Sequence, residues 1–228
     1  MTTLSTEEFK AFQGLVTTDD GFKEKECTQY LHAATDFLLG KTPVSLIELG
    51  LEQRSPYGRS DYIIVADLKS NVGAVERHLI FFELKAPQCF LMQHDDSTRY
   101  RPSNDLVKAE TQLIHYVQQA MGDQVLKERH GVVTSENVSA GGIIIGRDDH
   151  MANVNTDEKR RDAHLSFKLR QRALYREWNI LTWNRILILS NPKFILGLTI
   201  GRLLSIQFQR VVIWLFVHVT RTGRDRHP

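Results

Sequence analysis

The sequence lacks the features that mark disulfide-rich, zinc-finger and secreted proteins. It contains only two cysteines, Cys27 and Cys89, among 228 residues, too few for a disulfide scaffold or a four-cysteine zinc site. Its nine histidines include no H-E-x-x-H arrangement of the kind that zinc hydrolases use. Residues 1–12 contain neither the basic segment nor the apolar stretch of a signal peptide. These absences predict a cytoplasmic protein with reduced thiols.

A strong charge of one sign is missing too. Lys and Arg total 29 against 27 Asp and Glu, which gives a formal net charge of +2. Such a balance neither requires nor excludes a nucleic-acid partner, so the clustering of the charges must decide. With 42% hydrophobic and 25% charged residues, the composition is that of a soluble globular protein with a buried core.

No uncharged run is long enough to cross a membrane. The C-terminal segment 194–219 is strongly apolar, but Arg202 and Arg210 interrupt it, and the apolar run after Arg210 ends at Val219. A bilayer span takes about 20 apolar residues. Membrane insertion is therefore not expected, and burial in the core or in an oligomer interface is the preferred use of this tail. The arginines that follow it leave a peripheral membrane contact as a minority alternative.

The hydrophobic pattern changes its period several times along the chain. Helical spacing alternates with short apolar runs bounded by glycine, proline and polar residues. Residues 88–104 are polar and are expected to be irregular. The helical segments are 5–39, 105–121 and 157–176, and the strand segments are 44–49, 62–66, 78–84, 141–146 and 178–183. This order predicts an α/β protein with a mixed central β-sheet flanked by helices on both faces.

Two carboxylates and a lysine stand at the ends of neighbouring predicted strands. Asp61 opens the second strand, and Glu83-Leu84-Lys85 ends the third. If these strands form a hairpin, Asp61 and Glu83 lie side by side, and Glu83 and Lys85 share a face because strand side chains repeat every two residues. Mg²⁺ prefers oxygen ligands, and the Leu84 carbonyl would add a third. Spacing alone supports a structural ion pair equally well.

This arrangement resembles the PD-(D/E)XK nuclease superfamily, and within it the chain is most similar to the Shedu anti-phage defence nucleases. Ser60 stands where the motif usually has proline, and Trp183 replaces the usual tyrosine of a later segment. Three further segments match in the same order, namely a Q-x-x-x-Y helix, a glycine-flanked strand, and a strand with a short helix: 108–116, 142–147 and 180–187. Together the matches cover about residues 24–188, and their order makes the combination more specific than each motif alone.

The resemblance implies a restriction-endonuclease-like fold and a Mg²⁺-dependent DNA endonuclease, with Mn²⁺ as a substitute ion, that acts as a homo-oligomer in bacterial anti-phage defence. It divides the chain into an N-terminal helical extension (1–23), a nuclease domain (24–190) and an apolar, basic tail (191–228). By position, Asp61, Glu83 and the Leu84 carbonyl would be the metal ligands. Lys85 would be the catalytic lysine, and Gln112 would join the site.

Accessory residues are expected from two helices. Lys108, Gln112 and Tyr116 are spaced by four and share one helix face, which is also the pattern of an amphipathic helix with a polar rim. Many superfamily members carry a glutamate on the first helix. Glu26 is the candidate, with Glu24 an equal alternative.

Basic residues for DNA binding cluster in two places. Seven positive charges lie within residues 159–176, where they would neutralise phosphates without reading sequence, although such runs are also typical of a solvated helix face. A weaker group follows the third strand. The DNA-binding candidates are Arg99, Arg101, Arg160, Arg161, Lys168 and Arg172.

Two other classes of protein are compatible with the sequence. One is a catalytically silent nucleic-acid-binding or regulatory module of the same fold, and the other is a membrane-associated effector that uses the apolar tail. The retained set of Asp61, Glu83, Lys85 and Gln112 favours the nuclease. Regulation is expected from assembly, from the tail, or from a partner or sensor protein.

Overall fold

A computed structural model describes residues 3–55, 58–95, 99–175 and 178–191. The apolar tail, residues 192–228, lies outside the described residues. In the described part of the chain, no helix is both long enough and apolar enough to cross a membrane.

The described part of the chain forms seven strands and seven α-helices. The strands are β1 (Ser45–Ser55), β2 (Gly58–Lys69), β3 (Val75–Leu84), β4 (Met92–His94), β5 (Tyr100–Pro102), β6 (Val138–Ile144) and β7 (Asn179–Leu181). The α-helices are α1 (Thr6–Thr17), α2 (Glu24–Thr28), α3 (Thr35–Leu38), α4 (Asn104–Gly122), α5 (Gln124–His130), α6 (Asp157–Leu174) and α7 (Trp183–Leu189).

Five of the strands form a mixed sheet in the order β1-β2-β3-β6-β7. The pairs β1–β2 and β2–β3 are antiparallel, whereas β3–β6 and β6–β7 are parallel. The last six residues of β3, from Leu79 to Leu84, are all buried. This confirms that β3 is a central strand, since a strand covered on both faces is apolar throughout.

The sheet has a hydrophobic core on each face, because successive side chains of a strand point to opposite faces. On one face, Leu79 and Phe81 of β3 pack in a cluster with Leu113 of α4 and Phe167 of α6. On the other face, Phe82 belongs to a cluster that includes Phe12 of α1, Leu38 of α3 and Trp183 of α7. The prediction of an α/β protein with a mixed sheet and helices on both faces is therefore confirmed.

Gly141 explains why one predicted strand is bounded by glycine. A Cβ atom at this position would overlap the ring of Phe82 on the neighbouring strand β3. Only the absence of a side chain lets the Phe82 ring lie over β6. The glycine therefore supports the packing of the strand that carries Glu83.

Two sequence predictions about local structure were wrong. Residues 88–104 are not irregular throughout, because β4 and β5 form a small antiparallel hairpin in which Met92 pairs with Pro102. Strands of three residues are too short to produce a recognisable alternation. The helical segment 5–39 is interrupted between α1 and α2, where Gly21 adopts a positive φ of 66°. Helix α5 was not predicted.

Candidate active site

Asp61 and Glu83 meet across the β2–β3 pair. Tyr62 pairs with Phe82 in the antiparallel register, so Asp61 comes opposite Glu83 at the end of the pair. Asp61 Oδ2 accepts a hydrogen bond from the Leu84 N–H at 3.0 Å. This bond holds the aspartate carboxylate against the strand that carries the glutamate.

Lys85 brings its ammonium group to both carboxylates. Lys85 Nζ lies 2.6 Å from Glu83 Oε1 and 3.9 Å from Asp61 Oδ2, and it donates a hydrogen bond to the Leu84 carbonyl at 2.9 Å. The side chain of Lys85 is only 15% exposed. The structure thus places the two predicted carboxylates and the predicted carbonyl around the ammonium group of Lys85.

Glu83 is the most deeply buried member of this group, with a side chain that is 0% exposed. Its second carboxylate oxygen, Oε2, is buried and has no hydrogen-bond partner among the described residues. Burial, reinforced by the charge of Asp61, raises the pKa of Glu83 to about 8, although Lys85 opposes this shift. A buried carboxylate with an unsatisfied oxygen costs free energy unless a cation or a proton compensates it.

Helix α4 supplies the amide and the phenol that the sequence predicted. Gln112 Oε1 is buried and has no hydrogen-bond partner among the described residues. Burial and the charge of Glu83 raise the pKa of Tyr116, while a hydrogen bond with Gln112 opposes that shift. Gln112 and Tyr116 therefore lie together on the sheet side of α4, near Glu83. Lys108, one turn before Gln112, is exposed.

Of the two first-helix glutamates, Glu24 is the one that the structure brings to the site. Burial raises the pKa of Glu24, the charge of Asp61 adds to this effect, and Lys85 and Lys108 oppose it. The candidate Glu26 instead forms a 3.8 Å ion pair with Lys23, and its side chain is 47% exposed. On a helix, residues two apart point away from each other, so α2 presents only one of these two glutamates to the sheet.

The electrostatics of the site indicate a surplus of negative charge. Burial alone would lower the pKa of Lys85, but Glu83, Asp61 and Glu24 outweigh it, so this pKa is raised. The pKa values of Glu24, Glu83 and Tyr116 are raised as well. Each shift favours the protonated form. Three carboxylates share one buried ammonium group, and a further positive charge would stabilise the cluster.

A divalent cation suits this donor set. The oxygens of Asp61, Glu83 and Leu84 are hard ligands of the type that Mg²⁺ prefers, and Mg²⁺ commonly keeps several waters beside one or two carboxylates. The buried, unpartnered acceptor oxygens of Glu83 and Gln112 are positions that a cation or its waters would satisfy. Among the described residues, no group of three or more His, Cys, Asp and Glu side chains is arranged to hold a metal ion. A metal here would therefore depend on the carbonyl and on water.

Comparison with known families places most of the chain in one of them. Residues 21–187 match the family model described as "Shedu protein SduA, C-terminal". The chain belongs to this Shedu family. The matched region includes Asp61, Glu83, Lys85 and Gln112, and Shedu proteins are linked to anti-phage defence. No curated protein matches the chain.

Two side chains that sequence reasoning missed, Trp183 and Gln88, fix the site within the Shedu domain through partly buried hydrogen bonds. Trp183 donates its indole N–H to the Lys85 carbonyl at 2.7 Å, so α7 holds the backbone of the lysine. Gln88 donates to the carbonyls of Leu15 and Thr18 at 3.3 and 2.8 Å and accepts from the Lys23 N–H at 3.0 Å. These bonds connect the segment after Lys85 to the segment that leads into α2. A side-chain-to-backbone contact of this kind leaves no periodic signal in a sequence.

The basic residues of the Shedu domain lie on neighbouring elements. Tyr100 of β5 donates to the Lys159 carbonyl of α6 at 2.8 Å, which joins the hairpin to the basic helix. All six DNA-binding candidates have exposed side chains: Arg99, Arg101, Arg160, Arg161, Lys168 and Arg172. Exposure and proximity are compatible with a phosphate-binding surface and equally with a solvated one.

Proposed function

We propose that the protein is a Mg²⁺-dependent DNA endonuclease of the PD-(D/E)XK type that acts in Shedu anti-phage defence. The observation that carries this proposal is the fully buried Glu83, which converges with Asp61 on Lys85 and keeps one carboxylate oxygen without a partner. A purely structural ion pair needs only one carboxylate, and the oxygens of that carboxylate would be satisfied by hydrogen bonds. The order of β1 to β3, α4 and β6 is consistent with a restriction-endonuclease-like core.

In this proposal, Asp61, Glu83 and the Leu84 carbonyl would hold Mg²⁺, with Mn²⁺ as a substitute. When bound, the ion would polarise the scissile phosphate and lower the pKa of a water. Asp61 is oriented for this role by the Leu84 N–H, since that bond occupies Oδ2. Glu83 would lose its proton when the ion binds, because burial and the charge of Asp61 raise its pKa.

Lys85 would act on the phosphate and on the attacking water. Its raised pKa keeps it protonated at neutral pH, so it can donate hydrogen bonds and stabilise the negative charge that develops on the phosphate oxygens. Gln112 would orient the attacking water through Oε1, which is buried and unpartnered among the described residues. Lys108, exposed on the same helix face, would contact a neighbouring phosphate.

Nicking of a supercoiled plasmid tests this function. Purified protein with Mg²⁺ is expected to convert the plasmid to the open-circular form, and EDTA is expected to stop the reaction. Glu83→Gln and Lys85→Met are each expected to lower the rate at least about 100-fold, as is usual when a charge-stabilising group is removed. Asp67→Asn is the matched control, because Asp67 lies on β2 as Asp61 does but pairs with Arg77. Unchanged nicking by Glu83→Gln would refute the site.

A catalytically silent nucleic-acid-binding module is the second candidate. It is favoured by the finding that the described residues hold no cluster of three or more metal-ligating His, Cys, Asp and Glu side chains. This alternative predicts salt-dependent DNA binding by the wild-type protein without nicking in either Mg²⁺ or Mn²⁺. Calorimetric titration with each ion would then show no binding that depends on Asp61.

A further inference from the structure

A groove lies beside the β4–β5 hairpin, between the segment after β3 and the start of α6. It encloses a cavity of about 580 Å³ and adjoins a second cavity of about 420 Å³. Phe90, His94 and Asn153 line both cavities, so the two are parts of one groove. Volumes of 300–1,000 Å³ are typical of sites for small organic ligands.

The side chains of this groove combine aromatic rings, amides and cations. The rings of Phe90 and His150 lie 4.5 Å apart with an angle of 46° between their planes. The ring of His94 packs edge-on against the ring of Tyr100, with the two centroids 5.2 Å apart. His150 Nδ1 is buried and has no hydrogen-bond partner among the described residues. Proteins hold an unstacked base by stacking it on aromatic rings and by hydrogen bonds from side chains to its edge.

Positive charge lies at the rim of the same groove. Lys159 and Arg160 line the larger cavity. Arg160 forms an exposed 3.3 Å pair with Asp157, and a phosphate can replace such a weak pair. Two acidic residues also line the groove. Asp149 lies 3.4 Å from the buried Arg147, which offsets part of its charge because Arg147 also pairs with Asp19. Asp105 lines the smaller cavity, whereas Lys159 and Arg160 line the larger one. The groove therefore offers cations for a phosphate next to rings for a base.

Helix α4 connects the groove to the candidate active site. Asn104, at the start of this helix, lines the smaller cavity, while Gln112 belongs to the site. Asn104, Lys108 and Gln112 are spaced by four and share one helix face. Eight residues of α-helix span about 12 Å, the length of about three to four nucleotides of a B-form strand.

We propose that this groove binds one unpaired nucleotide of a DNA strand, with its base against Phe90 and His150 and its phosphate at Lys159 and Arg160, a few nucleotides from the phosphate at the active site. The inference rests on DNA as the substrate of the proposed function. A paired base cannot enter, because its faces are covered by the duplex stack. An unpaired base enters at the lowest cost. The groove would thus select DNA with a locally unpaired segment.

Binding in EDTA tests the groove separately from cleavage. The probes are a fluorescein-labelled 20-base-pair duplex and the same duplex with three unpaired nucleotides in one strand. By anisotropy, the wild-type protein is expected to bind the second probe about 10-fold more tightly, the usual gain from stacking one base on an aromatic ring. Phe90→Leu and Asn153→Ala are expected to bring the ratio of the two affinities close to one, with duplex binding unchanged. Phe90→Tyr is expected to keep the preference.

Phe37→Leu is the matched control, because Phe37 belongs to α3, which packs on the opposite face of the sheet. It is expected to leave the ratio unchanged. A 2-aminopurine at the unpaired position gives a second readout, and its fluorescence is expected to change with the wild-type protein but not with Phe90→Leu.

Three results would overturn the inference: equal affinity of the wild-type protein for both probes, a preference that survives Phe90→Leu and Asn153→Ala together, or displacement of the strand by free dAMP at equal concentration. The last result would identify a site for free nucleotides instead. If the preference is found but the plasmid is not nicked, the groove stands and the nuclease function fails. If the plasmid is nicked but the preference is absent, the nuclease function stands and the inference about the groove fails.

Discussion

Trp183 donates its indole N–H to the carbonyl of Lys85 at 2.7 Å, across 98 positions of sequence. Trp183 is fully buried and packs edge-on against Phe12 of α1, with ring centroids 6.1 Å apart. The backbone of the candidate catalytic lysine is therefore fixed by the core on the far side of the sheet. The stability of the fold and the geometry of the candidate active site are coupled at this tryptophan.

Trp183→Phe should separate these two effects. It removes the donor and leaves the Lys85 carbonyl without this bond, so we expect a loss of about 1–3 kcal/mol in the free energy of unfolding. The nicking rate should fall more than the affinity for DNA, because the substitution shifts Lys85 and no DNA-binding residue. Trp178→Phe is the control, since Trp178 packs against Tyr175. A variant that loses stability but nicks at the wild-type rate would contradict the positioning role.

Glu83→Gln should stabilise the protein in the absence of divalent ions. The pKa of Glu83 is raised from 4.5 to about 8 in the folded state, so between these values the unfolded chain is ionised while the folded chain stays protonated. Stability from this group therefore falls as pH rises through this window. We expect the variant to exceed the wild type by about 1–3 kcal/mol at pH 8 and to equal it near pH 4.5. Denaturant unfolding in EDTA measures this.

Asp67→Asn is expected to give the opposite sign and serves as the control for that experiment. A hydrogen bond from Arg77 lowers the pKa of Asp67, so its contribution to stability is present above pH 3.8 and is lost as pH falls through the lowered pKa. The substitution should destabilise the protein across pH 4.5–8. A Glu83→Gln variant that behaves in the same way would show that Glu83 is ionised in the folded protein.

Mg²⁺ affinity should rise with pH up to about 8. The ion would have to displace the proton that Glu83 holds below its raised pKa, and proton release on binding makes metal affinity pH-dependent. We expect a gain of up to about 10-fold per pH unit between pH 6 and 8, with a plateau above it. Calorimetric titrations in buffers of different ionisation enthalpy measure both the affinity and the released protons. An affinity that does not vary with pH would contradict the displacement of a proton from Glu83 by the ion.

The two first-helix glutamates should differ in their effect on activity. Glu24→Gln removes a carboxylate that interacts with Asp61 and Lys85, and we expect nicking to fall at least about 10-fold, as when a residue that orients a metal site is lost. Glu26→Gln disrupts only the exposed pair with Lys23 and should nick at the wild-type rate. Rates at saturating Mg²⁺ would compare the pair. The reverse order would restore Glu26 to the site.

Basic residues of α6 should contribute to the salt dependence of DNA binding. Each phosphate contact that is lost lowers the slope of log K against log salt by about 0.9, so Arg161→Ala and Lys168→Ala should each weaken binding at 50 mM salt and flatten this slope. Arg129→Ala is the control, since Arg129 is an exposed arginine on α5. Anisotropy between 50 and 200 mM salt gives the slopes. Equal slopes for all variants would make the α6 charges a solvated face.

The sequence predicted those features that produce a strong periodic pattern or place a charge next to an apolar strand. Asp61 and Glu83 were expected together because antiparallel neighbours place such residues opposite each other, and the register of Tyr62 and Phe82 has this effect. The central position of β3 followed from its continuous apolar run. The family followed from the order of several degenerate motifs.

Other features depend on tertiary contacts that have no local pattern. The choice between Glu24 and Glu26 is decided by how α2 packs against the sheet, and both positions look alike in a short helix. Strands β4 and β5 have only three residues each, which is too few to show an alternation of apolar and polar residues. The Trp183 bond to Lys85 joins distant segments. Mg²⁺, DNA, the homo-oligomer and a regulatory partner stay predictions.

The central position of β3 has a consequence for how the proposed nuclease can be controlled. Its end carries Glu83 and Lys85, its ladder is bonded to β2 on one side and β6 on the other, and both of its faces are covered. Distorting this strand would open the middle of the domain, at a cost close to that of global unfolding. If the proposed nuclease function is correct, we expect Glu83 and Lys85 to stay assembled at all times, so that restraint towards host DNA would act through which DNA strands reach the site.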